Sequence, residues 1–208
     1  RLDFLCNYGS TILGHSNALV ENALVEQAKR GLAFGSATSN EIELAELLTA
    51  RIPGMDVLRF CNSGSEAVMF AIKTARAVSK KVKIAKFEGC YHGSYDWAGT
   101  SEVPNPISWG DSNAPNPCPL DAGSCSPAVL EEVVVLPWND GPACAALLDA
   151  HGSEIAGLLM CPIGTFSTWL AAPDPDFLST LSKACKRNNI LFIADEVLSF
   201  STGYTGAL

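Results

Sequence analysis

Hydrophobic and polar positions alternate between two periods along this chain. Short β-rich runs at Val57–Cys61, Val82–Phe87, Val133–Leu136, Ile155–Cys161 and Ile190–Ala194 predict strands. Between them, Ala18–Arg30, Ser39–Arg51, Glu66–Ser79, Ala143–His151 and Asp176–Asn188 carry the helical period. In the helix from Ser39, the residues Ile42, Leu44, Ala45, Leu47 and Leu48 fall mostly on one stripe, and Glu41, Glu43 and Glu46 load its first turns as the helix dipole prefers. Strand and helix in alternation predict an α/β fold, a mostly parallel sheet with crossover helices on both faces. The stretch from Gly99 to Pro127 is rich in Pro, Asn, Ser and Gly and has no period. A loop of that length either covers something, touches a partner subunit, or is a plain surface excursion.

Composition narrows the picture. The 208 residues include 48% apolar and 17% charged positions, a folding composition large enough for one core or for one domain and part of a second. The 14 Lys and Arg against 22 Asp and Glu leave a net charge of −8, which argues against a nucleic-acid partner. Lys80, Lys81, Lys83 and Lys86 are the densest basic cluster and read as the solvated edge of a helix-to-strand turn. No apolar run approaches the ~20 residues that cross a bilayer, so no membrane partner is expected. The eight cysteines are scattered and contain no C-x-x-C; a reducing, cytoplasmic setting without a metal site is expected. Cys61, Cys161 and Cys185 lie in apolar segments and read as small core residues. The opening Arg1-Leu2-Asp3-Phe4-Leu5 has neither an initiator Met nor a signal pattern, which reads as a trimmed or incomplete start.

Three segments carry chemistry. Asn62-Ser63-Gly64-Ser65-Glu66-Ala67 leads from a predicted strand into a helix. Its first amides, with two hydroxyls around a glycine, can hold a phosphate; equally, either serine can simply cap the helix. Glu88-Gly89-Cys90-Tyr91-His92-Gly93 follows a strand and places an aromatic ring and an imidazole where open α/β sheets bind ligands, although such a pair is often only structural. Asp195-Glu196-Val197 ends the apolar run from Ile190, bringing carboxylates to the mouth of the sheet. They suit a metal or a protonated ring nitrogen, and the metal reading is the weaker because none of His15, His92 and His151 has ligand spacing with them. A phosphate cradle, a stacking ring and a carboxylate on separate strand ends together match a planar phosphorylated cofactor with a basic ring nitrogen, pyridoxal phosphate.

With Phe34-Gly35, Asn40-Glu41-Ile42-Glu43-Leu44-Ala45-Glu46 and Tyr95-Asp96-Trp97 added in the same order, the chain resembles the class III pyridoxal-phosphate aminotransferases, in the branch that contains glutamate-1-semialdehyde 2,1-aminomutase. The resemblance implies the large domain of a fold type I transferase, incomplete at its C-terminal end, with residues 1–30 as an entry segment of the small domain and 31–208 as a partial cofactor domain. It implies that Ser63, Gly64 and Ser65 hold the phosphate, Tyr91 and Val197 sandwich the ring, Asp195 pairs with the ring nitrogen, and His92 orients Asp195. It also implies a homodimer, an amino donor and an oxo acceptor. The family's Schiff-base lysine lies beyond the Asp-Glu-Val segment, and the thirteen residues after Asp195 contain no lysine, so no catalytic residue is visible.

Four departures from the family pattern stand out. Cys161-Pro162-Ile163 replaces a Glu-Pro-Val, Phe166 stands at an expected Asn, and Ala33 replaces the aminomutase-type Ser, while Ser201 stands where Arg is frequent. The readings are therefore an aminotransferase of which this is the N-terminal portion, a truncated or degenerate relative that binds pyridoxal phosphate or a partner subunit without turnover, and an aminomutase running a 1,2-amino shift.

Overall fold

The computed structural model describes residues 2–164 and 172–207, and the Phe166 position lies outside them. By compactness the chain divides into Arg1–Arg59 with Phe200–Gly206, and Phe60–Ser199 with Ala207–Leu208. Among the described residues, no helix is long and apolar enough to cross a membrane.

In the first unit, α1 (Ala18–Arg30) starts at Asn17, whose side chain accepts from the amides of Leu19 and Val20. α2 (Ser39–Arg51) starts in a capping box: Thr38 accepts from the Glu41 amide while the Glu41 carboxylate accepts from the Thr38 amide. The stripe read in α2 stays open, with Ile42 52% and Leu47 60% exposed. Arg51 at the end of α2 lies 4.8 Å from the Phe200 ring centroid and 5.0 Å from that of Tyr204, and donates to the carbonyls of Gly203 and Tyr204.

The second unit contains α3 (Gly64–Ser79), β1 (Lys83–Phe87), α4 (Asp96–Gly99), β2 (Gly110–Asp111), β3 (Ala114–Pro115), α5 (Pro127–Glu131), β4 (Val133–Leu136), α6 (Gly141–Ala150), β5 (Ile155–Met160), α7 (Phe177–Arg187) and β6 (Leu191–Ala194). Four strands form a parallel sheet in the order β4-β1-β5-β6. Parallel neighbours need crossovers, and the helices that supply them cover both faces. On one face Phe87, Leu158, Leu148, Phe177 and Leu181 pack together, with Phe87 edge-on to Trp138 at 5.3 Å. On the other, Val68, Ile72 and Ala75 of α3 meet Ile84, Ala156 and Leu159. Gly157 permits that approach, since a Cβ there would stand 3.3 Å from the Ala75 Cβ and 2.9 Å from Ile193 Cδ1. All six residues of β5 are buried, whereas the edge strand β6 is half open.

Four of the five expected strands form within one residue of the expected bounds, and all five helices form within two. The exception is Val57–Cys61, which is not a strand. A strand needs a ladder partner, and this segment runs exposed, with Val57 88% accessible. Cys61 is accordingly exposed rather than in the core, whereas Cys161 and Cys185 are buried as expected. The Gly99–Pro127 stretch is more structured than its composition suggests: it holds a 3-10 turn at Pro106–Ser108 and the β2–β3 hairpin. Lys86 corrects the basic cluster, because it is fully buried. β1 is an interior strand with neighbours on both sides, so its side chains have no route to water unless they run off its end.

Burial pushes the Cys144 thiol up to about 12 and those of Cys161 and Cys185 up to about 11, from an ordinary value of 9. Between those values the unfolded chain has lost thiol protons that the folded chain keeps, so stability falls as pH rises above about 9. Lys86, pushed down from 10.5 to about 8 by burial, acts oppositely between those two values, as one group against three. Urea unfolding under reducing conditions should therefore give a lower midpoint at about pH 10.5 than at pH 8.5. An unchanged or higher midpoint would contradict the burial of these thiols.

Candidate functional site

The site lies at the carboxyl ends of the parallel strands, where the hydrogen-bond ladder runs one residue past two of them. The Glu88 amide donates to the Leu136 carbonyl at 3.0 Å, and the Asp195 amide donates to the Met160 carbonyl at 2.7 Å. Asp195 is thus fixed at the mouth of the sheet by backbone pairing, before its side chain is considered.

The α3 entry is capped by Ser63, whose Oγ accepts from the Glu66 amide at 3.2 Å, while the Glu66 carboxylate accepts from the Asn62 amide at 2.6 Å. The capping reading of the sequence therefore holds for the Ser63 hydroxyl. The amides of Gly64 and Ser65, in the first turn, lie outside the helix's own ladder and point along its positive end. The Ser65 Oγ accepts from the Ser94 amide at 3.1 Å.

That contact joins the helix to the loop after β1. Gly93 sits directly on Ser65 with φ +91: a Cβ there would fall 2.4 Å from Ser65 Oγ and 2.7 Å from its Cα. Only a residue without a side chain permits both the left-handed backbone and this approach. One residue earlier, His92 is buried and its Nδ1 donates to Asp195 Oδ2 across 2.7 Å, the two side chains being 0% and 10% exposed. A carboxylate accepts only, so the shared proton lies on the imidazole. Burial holds His92 below the ordinary histidine range, the bond to Asp195 opposes that shift, and the positive charge of Lys86 adds to it. His92 is a neutral donor at neutral pH. Asp195 Oδ1 accepts from the Val197 amide at 3.1 Å, so both oxygens are oriented by the chain.

Tyr91 is 53% and Val197 68% exposed, both at this mouth, and Val197 Cγ2 lies 3.4 Å from where a Gly64 Cβ would be. The three segments singled out in the sequence thus meet: α3 touches the post-β1 loop through Ser65, Gly93 and Ser94, that loop touches the β6 end through His92 and Asp195, and Val197 abuts Gly64. Such an arrangement can present to one small molecule an anion-binding helix end, apolar and aromatic faces, and an oriented carboxylate. Glu196, by contrast, is turned to local structure, accepting from the Ser199 hydroxyl and the Ala207 amide. Cys161 lies buried with its thiol 3.0 Å from the Gly164 carbonyl. Among the described residues no cluster of His, Cys, Asp and Glu is arranged to hold a metal ion.

Sequence reasoning missed Lys86, whose ammonium donates to the carbonyls of Cys90, at 2.8 Å, and Thr100. The available signal was its place inside the apolar run Ile84-Ala85-Lys86-Phe87.

A helix entry, an aromatic residue and an oriented carboxylate are thus gathered at the strand ends of a parallel α/β sheet, the place where open α/β sheets bind ligands. The family model described as aminotransferase class-III matches residues 1–208, and the chain belongs to that family. It is 34% identical over 198 residues to a glutamate-1-semialdehyde 2,1-aminomutase of Wigglesworthia glossinidia brevipalpis, covering 95% of this chain and 44% of that protein. Its structure is similar to an omega-transaminase from Sphaerobacter thermophilus, with TM-score 0.93 and 43% identity, over 99% of this chain and 46% of the other. It is also similar to a structure described as a transaminase with PLP bound, with TM-score 0.89 and 33% identity, over 100% of this chain and 46% of that one. The chain spans under half the length of these relatives.

Replacing Gly93 by Ala should separate the loop from α3. The expected loss is about 1–3 kcal/mol of unfolding free energy in urea, the cost of a forced positive φ together with a backbone clash. A loss below about 0.5 kcal/mol, the range of an indifferent surface change, would contradict the packing of Gly93 on Ser65.

Proposed function

We propose that this chain carries most of the cofactor site of a pyridoxal-phosphate-dependent aminotransferase that moves an amino group between an amino acid or amine and an oxo compound. The amides of Gly64 and Ser65, with the serines beside them, would hold the phosphate at the start of α3. Tyr91 and Val197 would flank the pyridine ring, and Asp195, oriented by His92, would meet its nitrogen. The single observation that carries this reading is the buried 2.7 Å His92–Asp195 contact, placed at the same strand-end mouth as the Gly93–Ser65 and Val197–Gly64 approaches.

The donor set suits the group. A dianionic ester matches a helix N-terminus, a flat heteroaromatic matches an open tyrosine face, and a protonated ring nitrogen matches a carboxylate already aimed by two N–H donors. When bound, pyridoxal phosphate supplies the electron sink for chemistry at the α-carbon of an amino acid. The chain's own part is to orient: neutral His92 holds the carboxylate of Asp195 without neutralising it by proton transfer. The solved relative described with PLP bound supports the cofactor assignment, and the greater identity to an omega-transaminase than to the aminomutase supports transfer between two molecules over a 1,2-shift. Ala33, at the aminomutase-type serine position, favours the same choice. This reading includes a homodimer in the cytoplasm, with residues 1–30 in the small domain and 31–208 in the cofactor domain.

The test is titration of the protein with 4'-deoxypyridoxine 5'-phosphate, which has the ring and phosphate but no aldehyde to react with stray lysines, followed by calorimetry. Saturable binding is expected, and Asp195→Asn should weaken it about 10- to 100-fold, the worth of one hydrogen bond to a charged partner. Absence of binding, or equal binding by D195N, would overturn the reading. Turnover is then checked with an amine donor and an oxo acceptor, by following the new amine.

A further inference from the structure

Lys86 is the buried ionisable group to which the proposed function assigns no work. Its side chain leaves β1 on the face that α3 covers and ends under the loop between Cys90 and Thr100. There the ammonium donates at 2.8 Å to the carbonyl of Cys90, the residue before Tyr91, and also to the carbonyl of Thr100, which closes α4. Thr100 is itself held by Asp96: its amide, at 3.1 Å, and its hydroxyl, at 3.0 Å, both donate to the Asp96 carbonyl. A backbone bond from the Gly89 amide to the Ser101 carbonyl, at 2.8 Å, lies just outside these two carbonyls. The ammonium and this bond together tie the base of a loop that carries the exposed Tyr91 and Ser94 and the buried His92 and Gly93. Among the described residues Lys86 makes no salt bridge to a carboxylate, so its two carbonyl partners at the loop's two ends define its place.

We propose that Lys86 is a positioning residue: its ammonium staples the two ends of the 90–100 loop and so sets the Tyr91 ring and the His92–Asp195 pair for a phosphorylated pyridine. This rests on the reading of the site given above. Three titratable groups share the field of this ammonium. Cys90 and Glu102 favour its charged form, and His92 is held neutral in part by it. Glu88, two residues along the chain, is pushed above the ordinary carboxylate range by burial. Burial brings Lys86 down to about 8, so the staple releases on moderate alkalinisation, below the ordinary value of 9 above which the buried thiols begin to cost stability.

Hydrogen exchange of the whole protein without ligand, read by mass spectrometry, tests this separately from cofactor binding. Lys86→Met should raise exchange in residues 89–101 by about tenfold or more while leaving 133–160 and 177–194 near their wild-type protection, as expected for a local opening. In the wild type, after correction for the intrinsic rate, protection of 89–101 should fall between pH 7 and 9; in K86M it should be flat. Affinity for 4'-deoxypyridoxine 5'-phosphate should follow the same two profiles. Should K86M not fold, Glu102→Gln serves instead: with less support for the ammonium, the wild-type pH midpoint should move down. Equal loosening throughout the sheet in K86M, a pH-independent loop in the wild type, or an unmoved midpoint in E102Q would overturn the proposal. If the probe fails to bind wild-type protein, the cofactor reading falls, and the exchange pattern still decides the role of Lys86.

Discussion

The buried hydrogen bond between His92 and Asp195 is the contact on which the site depends. It joins the loop that follows β1 to the end of β6, strands separated in the sheet by β5. Without it the two segments would be linked only indirectly, through their separate approaches to the start of α3. With it, both oxygens of Asp195 are spoken for by N–H donors from different directions. A carboxylate held in this way keeps one orientation at little further entropic cost, which is what recognition of a ring nitrogen requires.

The architecture was legible because its signals are local. β4, α1 and α2 form at the bounds their periodicity indicates, and the others shift by a residue or two at their caps. The site segments were legible for another reason: each stands immediately after a strand or before a helix, at the end of the sheet where open α/β folds bind ligands. What local pattern could not supply was pairing. Val57–Cys61 has the composition of a strand, yet composition cannot tell whether a neighbour will be there to complete its ladder. Lys86 was misread for the converse reason, since a lysine beside other lysines suggests solvent. Only the order β4-β1-β5-β6 reveals that β1 is interior.

The two serines of the α3 entry show how a bland and a functional reading coexist. Ser63 caps the helix with its hydroxyl, and that cap is what leaves the amides of Gly64 and Ser65 aligned at the helix end. Capping is therefore compatible with the anion site proposed at this helix end rather than an alternative to it. Ser65 similarly uses its hydroxyl to seat the Ser94 amide, which brings the aromatic loop against the same helix end.

The charges beneath the loop form an ordered series: the cation of Lys86, the neutral imidazole of His92, and the carboxylate of Asp195. Had the imidazole been protonated, the buried cation would have faced a second positive charge, and the carboxylate would have been neutralised by its nearest neighbour. Lys86 and burial both act against that state, and the bond from Nδ1 is what remains of the attraction. An ammonium whose pKa is driven to about 8 by burial carries a cost at neutral pH that an apolar side chain would avoid. Yet an apolar side chain at this position would leave two buried carbonyls, at Cys90 and Thr100, without their donor. The fold thus accepts a desolvated charge in β1 because the loop above it has more polar backbone than its own turns can satisfy, and the same charge biases the histidine that aims the aspartate.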